Sequence, residues 1–85
     1  MDRGTILTEL KNVIAPYTEH KDKLEAITED TDLIKDLNIN SSNLVDIIID
    51  AESKYNIEIE FESSEKMIRV GGAIDVIQEK LNKPA

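Results

Sequence analysis

Three stretches of this chain repeat apolar residues at a helical interval, and that recurrence limits what the chain can fold into more than any other feature. Ile6, Leu7, Leu10, Val13, Ile14 and Tyr17 form the first set, Leu44, Ile47, Ile48, Ala51 and Tyr55 the second, and Val70, Ala73, Ile74, Ile77 and Leu81 the third. At about 100° per residue each set falls on one arc of a helix, so each stretch needs a neighbour to cover its apolar stripe. The spacing predicts helices over about Thr5–Tyr17, Ser41–Lys54 and Val70–Leu81. Pro16 marks the end of the first, because proline disfavours continuation and restricts the residue before it. Asp75, Gln78 and Glu79 fall on the outer side of the third, and Asn82-Lys83-Pro84-Ala85 is expected to fray.

The connections are less regular. From Thr18 to Asn40 the chain is polar and aperiodic, with Leu24, Ile27, Leu33 and Leu37 scattered through it, and it reads as a long loop with a few inward anchors. Such a loop is unusual inside a compact domain. Tyr55-Asn56-Ile57-Glu58-Ile59-Glu60-Phe61 alternates strictly and, taken alone, would pass for an edge strand. A lone strand has nothing to pair with, so an extended loop whose Ile57, Ile59 and Phe61 plug the core is the expectation. Ser63 and Ser64 ahead of Glu65 suggest a serine-capped short helix through Ile68. Together these elements predict an all-α four-helix bundle, three helices long and one short, with a long loop between the first two. The whole chain, residues 1–85, reads as one domain with its core between about 5 and 81.

Composition narrows the function classes. A chain of 85 residues buries only about 60–65% of its unfolded surface, enough for one modest core and not for a deep enzyme cavity. With 40% hydrophobic and 33% charged residues it suits a soluble domain. There is no cysteine, hence no disulfide, thiolate zinc site or cysteine nucleophile, and the fold must stand on packing. The opening MDRGTILTELKNVIAP has no apolar run of signal-peptide length and nothing later is long enough to span a membrane, so a cytoplasmic protein off the membrane is expected. Ten basic against eighteen acidic residues give a net charge of −8, which repels nucleic acid and anionic lipid and steers the chain toward basic partner surfaces.

Within this frame Asn40-Ser41-Ser42 stands out, a serine in the first turn of the second predicted helix behind an asparagine suited to cap it. Its surroundings read D-L-x-x-N-S-S-x-x-V-D-I, from Asp36-Leu37 to Val45-Asp46-Ile47. This resembles the D-L-G-x-D-S-L-x-x-V-E-L signature of acyl carrier proteins. Ile27-Thr28-Glu29-Asp30-Thr31-Asp32-Leu33-Ile34-Lys35-Asp36-Leu37 is similar to the stretch before that family's modification site. Tyr55-Asn56-Ile57-Glu58-Ile59 is similar to its F-D-I-E-I loop, Glu65-Lys66-Met67-Ile68 to its third helix, and Val70-Gly71-Gly72-Ala73-Ile74-Asp75-Val76-Ile77 to its V-G-D-A-I-D-x-I. The matches run in order from about Ile6 to Leu81, and the family shares the long first loop.

The resemblance implies that Ser41 carries 4'-phosphopantetheine, joined through a phosphodiester by a phosphopantetheinyl transferase using coenzyme A. Acyl groups would ride as thioesters on the arm, and the chain would be a carrier delivering them to ketosynthases and acyl-loading enzymes of fatty-acid or polyketide-type biosynthesis, not an enzyme. Val45, Asp46 and Ile47 align with the family's V-E-L only if Ser41, not Ser42, takes the attachment position. An acyl pocket of the family kind would be lined by Ile48, Ala51, Ile59, Met67 and Ala73. A monomer is expected.

The residues add a docking face. Val45 and Ile49 lie off the core arc on the Ser41 side and would form an exposed apolar pair, with Asp46, Asp50 and Glu52 nearby and Glu58, Glu60 and Glu62 just beyond. Basic patches on partner enzymes would meet this face, with Asn40, Ser42, Val45, Asp46, Ile49, Asp50 and Glu52 at the contact. Three positions depart from the family. Asn40 stands for an aspartate, Ser42 for a leucine and Leu44 for a smaller polar residue, so partner choice should differ from that of a fatty-acid carrier. The N-S-S-x-L-V-D pattern is closer to carriers of polyketide-type or aryl-polyene and resorcinol pigment assembly.

Plainer readings stand beside these. A serine at a helix start is ordinarily a cap, an acidic helix face ordinarily solvated surface, and apolar residues at helical spacing ordinarily core. Asp30, Asp32 and Asp36 hint at a calcium loop, but Lys35 occupies the glycine position and no acid falls twelfth, so no metal site is expected. His20 is a solvated loop histidine, and Asn40-Ser41-Ser42 matches a glycosylation sequon by chance. The alternatives to the acyl carrier are an unmodified carrier-like adaptor and a peptidyl carrier loaded with an aminoacyl group.

Overall fold

The structure, a computed structural model, describes residues 2–82. Helix α1 runs Arg3–Ile14 and tightens into a 3-10 turn at Ala15–Tyr17, which is how the chain accommodates Pro16. Its N-terminus is capped by Asp2, whose Oδ1 accepts the Thr5 N–H at 2.8 Å. A short helix α2 follows at Lys21–Glu25, then α3 at Ser41–Tyr55, a single-turn α4 at Phe61–Ser64 continuing into a 3-10 turn at Glu65–Ile68, and α5 at Val70–Asn82. No strand occurs among the described residues; the one extended pairing is an isolated antiparallel bridge between Asp32 and Arg69. None of the described helices is long and apolar enough to cross a membrane.

The predicted architecture is present: α1, α3 and α5 pack around one core, with α1 against both of the others. Ile6, Leu10 and Ile14 come from α1, Leu44, Ile47 and Ala51 from α3, and Val70, Ala73, Ile74, Val76 and Ile77 from α5, all buried. Burying side chains of this size contributes about 1.5–3 kcal/mol each before the entropy of ordering them is charged against it.

The long connection between Thr18 and Asn40 is better ordered than its sequence suggests. Leu24, Ile27, Leu33 and Leu37 are buried as expected, joined by Ile39 and by Thr18. Thr18 spans the two ends of the connection, its hydroxyl donating to the Leu37 carbonyl at 3.0 Å and accepting the His20 N–H at 3.1 Å. Asp32 Oδ1 accepts the Ile34 and Lys35 N–H groups, while Asp36 accepts that of Asp32, so these two carboxylates shape the turn. The turn then docks on the start of α5: Leu33 donates to Ile68, Val70 to Thr31 and Gly71 to Glu29.

Four expectations need correction. The first loop contains α2, too short for its periodicity to show. Phe61 does not plug the core; it opens α4 and is 84% exposed, whereas Ile57 and Ile59 are half-buried against the core cluster. Ser63 and Ser64 close α4 instead of capping it, Ser63 donating to Glu60 and Ser64 to the Phe61 carbonyl. Asn82 is the last helical residue of α5, while the fraying expected at 83–85 concerns positions outside the described residues.

Candidate functional site

Asn40 is extended, with φ −81° and ψ 166°, and its Oδ1 accepts the Asn43 N–H at 2.8 Å. Its carbonyl takes the Leu44 N–H at 3.0 Å, so α3 begins on the next residue. That residue is Ser41, exposed, followed by exposed Ser42. Among the described residues the Ser41 and Ser42 N–H groups find no protein acceptor. They lie at the positive end of a 15-residue helix, an environment that favours an anionic group nearby.

The helical angle sorts the rest of α3. Taking Ser41 as zero and about 100° per residue, Glu52 falls near 20°, Val45 near 40° and Ile49 near 80°, with Asp46 near 140° and Asp50 near 180°. The core residues Leu44, Ile47 and Ala51 occupy the opposite side. Accordingly Val45 is 55% and Ile49 53% exposed, an apolar pair on the Ser41 side, and Asp46 and Asp50 border it. Leu44, one of the departures from the family pattern, is 8% exposed and belongs to the core.

Two of the acids on α3 have internal partners that sequence reasoning missed. Tyr17 donates its hydroxyl to Asp50 Oδ2 at 2.6 Å, bracing the end of α1 against α3. That bond to a carboxylate favours the neutral phenol and pushes the Tyr17 pKa up to about 12. Glu52 Oε2 accepts the Ile59 N–H at 2.8 Å, while the Glu52 carbonyl accepts that of Ile57, so one residue fastens the 57–60 segment to the Ser41 side of α3. Asn56, left-handed at φ 53°, makes the turn that allows it. The first partnership has no local sequence signal, since 33 positions separate Tyr17 from Asp50. Farther back along α1, Glu9 Oε1 accepts the Tyr55 hydroxyl at 2.6 Å, and the Tyr55 pKa is raised, by burial first and by Glu9 second.

Ala51, Met67 and Ala73 belong to the buried core cluster, and Ile48 and Ile59 pack partly buried against it. Three surface clefts lie elsewhere: one of about 520 Å³ beside Asp32, Lys66 and Arg69, one beside Lys23 and Lys35, and one holding His20 with Tyr17, Glu19, Leu37, Asn38 and Asn43. No serine lines the cleft of His20. Among the described residues no group of three or more histidines and acids is arranged to hold a metal ion.

No protein-family model matches the chain, and no curated protein matches it by sequence. In structure it is similar to the acyl carrier protein of Enterococcus faecalis, with a TM-score of 0.76 and 25% identity over 94% of this chain and 99% of that one. Its fold is that of an acyl carrier protein. The all-helical bundle is shared with that neighbour, and the resemblance read from Asn40-Ser41-Ser42 and its flanking motifs has a structural likeness beside it.

Proposed function

We propose that this acyl-carrier-type chain carries 4'-phosphopantetheine on Ser41 and delivers acyl intermediates to the enzymes of a fatty-acid or polyketide-type pathway. The observation that supports this most directly is the exposed Ser41 hydroxyl at the first residue of α3, beside two N–H groups without protein acceptors and in the D-L-x-x-N-S-S-x-x-V-D-I context. Asn40 fits the role by capping the helix through the Asn43 N–H. When bound, the arm supplies a terminal thiol that holds acyl groups as thioesters. The chain's own residues present that arm: α3 gives it a rigid base, Asn40 fixes where the helix starts, and Val45 and Ile49 offer grip beside it. Asp46 and Asp50 steer basic surfaces of the transferase, ketosynthase and acyl-loading enzymes toward the face. Cargo storage between Ile48, Ala51, Ile59, Met67 and Ala73 belongs to the same proposal.

The test is the intact mass of the protein before and after incubation with coenzyme A and a broad-specificity phosphopantetheinyl transferase. One phosphopantetheine should be gained by the native chain and by Ser42→Ala, and none by Ser41→Ala. A folded native chain that no transferase of its own organism can load would replace the carrier with an unmodified adaptor.

A further inference from the structure

We infer that Phe61 is an anchor for the partner enzymes, a second contact point that makes a single docking surface with the Ser41 side of α3. The choice of partner rests on the carrier reading. Phe61 is the only phenylalanine of the chain, and at 84% exposed it is far more open to water than Val45 or Ile49. Leaving so large an apolar ring in solvent forgoes about 2 kcal/mol or more of burial, which points to a use outside the isolated fold.

Its position makes that use specific. Glu52 falls within about 20° of Ser41 around the α3 axis and about 16 Å along it, eleven residues at 1.5 Å each. The Glu52 side chain and carbonyl hold Ile59 and Ile57, so the segment that delivers Phe61 is fastened to the same side of α3 that presents Ser41, Val45 and Ile49. Lys80 pins the other flank, its Nζ lying 2.5 and 2.7 Å from the two carboxylate oxygens of Glu60. A standard interface of about 800 Å² per partner is about 32 Å across, enough to cover the arm-bearing end of α3 and Phe61 together.

Charge selects the occupant. Lys80 offsets Glu60, but Glu58, Glu62 and Glu65, within four residues of Phe61 in the chain, stay exposed, and the chain has a net charge of −8. The fitting partner is a protein surface with an apolar socket rimmed by lysine or arginine. A second copy of this chain would bring the same glutamates face to face across a two-fold axis. Anionic lipid would be repelled.

The test takes the full chain with Ser41→Ala, which cannot be loaded, isotope-labels it, and titrates it separately with the purified transferase and ketosynthase of its own organism. With at least one enzyme Phe61→Ser should raise Kd about tenfold or more, Phe61→Leu should stay within about threefold, and Glu58→Gln with Glu62→Gln should flatten the salt dependence. The ring makes little of the core, so Phe61→Ser should keep its helical spectrum. An unchanged Kd for Phe61→Ser with both enzymes, or a parent chain that binds neither, overturns the inference. So does a concentration-dependent dimer that Phe61→Ser dissolves, which would assign the ring to a second copy. Loading of the native chain, followed by mass in parallel, keeps the two proposals apart. A chain that loads while Phe61→Ser binds normally sinks only the anchor; a chain that binds through Phe61 yet never loads sinks only the carrier.

Discussion

Asn40 shows how much one side chain decides at the proposed modification site. Its carboxamide oxygen satisfies the Asn43 N–H and fixes Ser41 as the first helical residue. Asn40→Ala should therefore cost about 1 kcal/mol in a denaturant melt, whereas Asn40→Asp, an equally good cap, should hold stability within a few tenths. Tyr17 permits a second check. Because its neutral form donates to Asp50, its pKa is raised from 10.0 to about 12. A raised pKa contributes stability that is fully present below the unfolded value and lost as pH climbs through the folded one, so this brace weakens between about 10 and 12. UV titration of Tyr55→Phe, which isolates Tyr17, should find the raised value, and adding Asp50→Asn should return it toward 10. Asp50 thus has two claims on it, one from Tyr17 inside the fold and one from any basic partner. Breaking the first with Tyr17→Phe would show whether it tempers the second.

Elements meet closely where the 3-10 turn at Glu65–Ile68 enters α5. A Cβ on Gly72 would stand 2.0 Å from the Lys66 carbonyl oxygen, and one on Gly71 would stand 2.9 Å from that of Glu29. Both obstacles are backbone, which cannot swing aside as a side chain does. Glycine to alanine inside a helix ordinarily stabilises by about 1 kcal/mol. Here Gly72→Ala should do the reverse and destabilise by about 1–3 kcal/mol, because the turn must lift off α5. A gain in thermal midpoint would mean that the turn moves freely. Displacing it would also disturb Met67, buried between the turn and the core, and so the apolar cluster proposed to receive cargo. The opposite end of this contact is held by Arg3, whose guanidinium meets both Glu29 and Asp75 and so ties α1, the first connection and α5 together. Exposed as these groups are, the pairs act more on geometry than on stability.

Over the whole molecule, excess negative charge and local pairing oppose each other as pH falls. Repulsion within a chain of net charge −8 eases as carboxylates begin to protonate, which favours the folded state. Against it, Asp2, Glu29 and Glu60 have pKa values lowered by the Thr5 N–H, Arg3 and Lys80 respectively. A lowered carboxylate contributes stability that is present above its unfolded value and lost as pH drops through the folded one. The thermal midpoint should therefore rise from pH 7 to about 5 and fall below about 4, and salt at pH 7 should raise it by screening the repulsion. A midpoint that falls steadily from pH 7 downward would show that the pairs outweigh the net charge throughout.

Local and short-range information was enough for much of this protein. The long helices, the Asn40 cap, the exposed Val45–Ile49 pair and the inward leucines of the first connection all follow from periodicity and capping, which act within a few residues. The order of the flanking motifs carried the family. Only the tertiary structure decided that Phe61 faces water, because the alternation that turns Ile57 and Ile59 toward the core ends where α4 begins at Phe61. The same holds for Tyr17 on Asp50, Arg3 between Glu29 and Asp75, and the order imposed on residues 18–40. Each depends on groups brought together from distant parts of the chain by packing, and packing energy belongs to the assembled core, not to any stretch of residues.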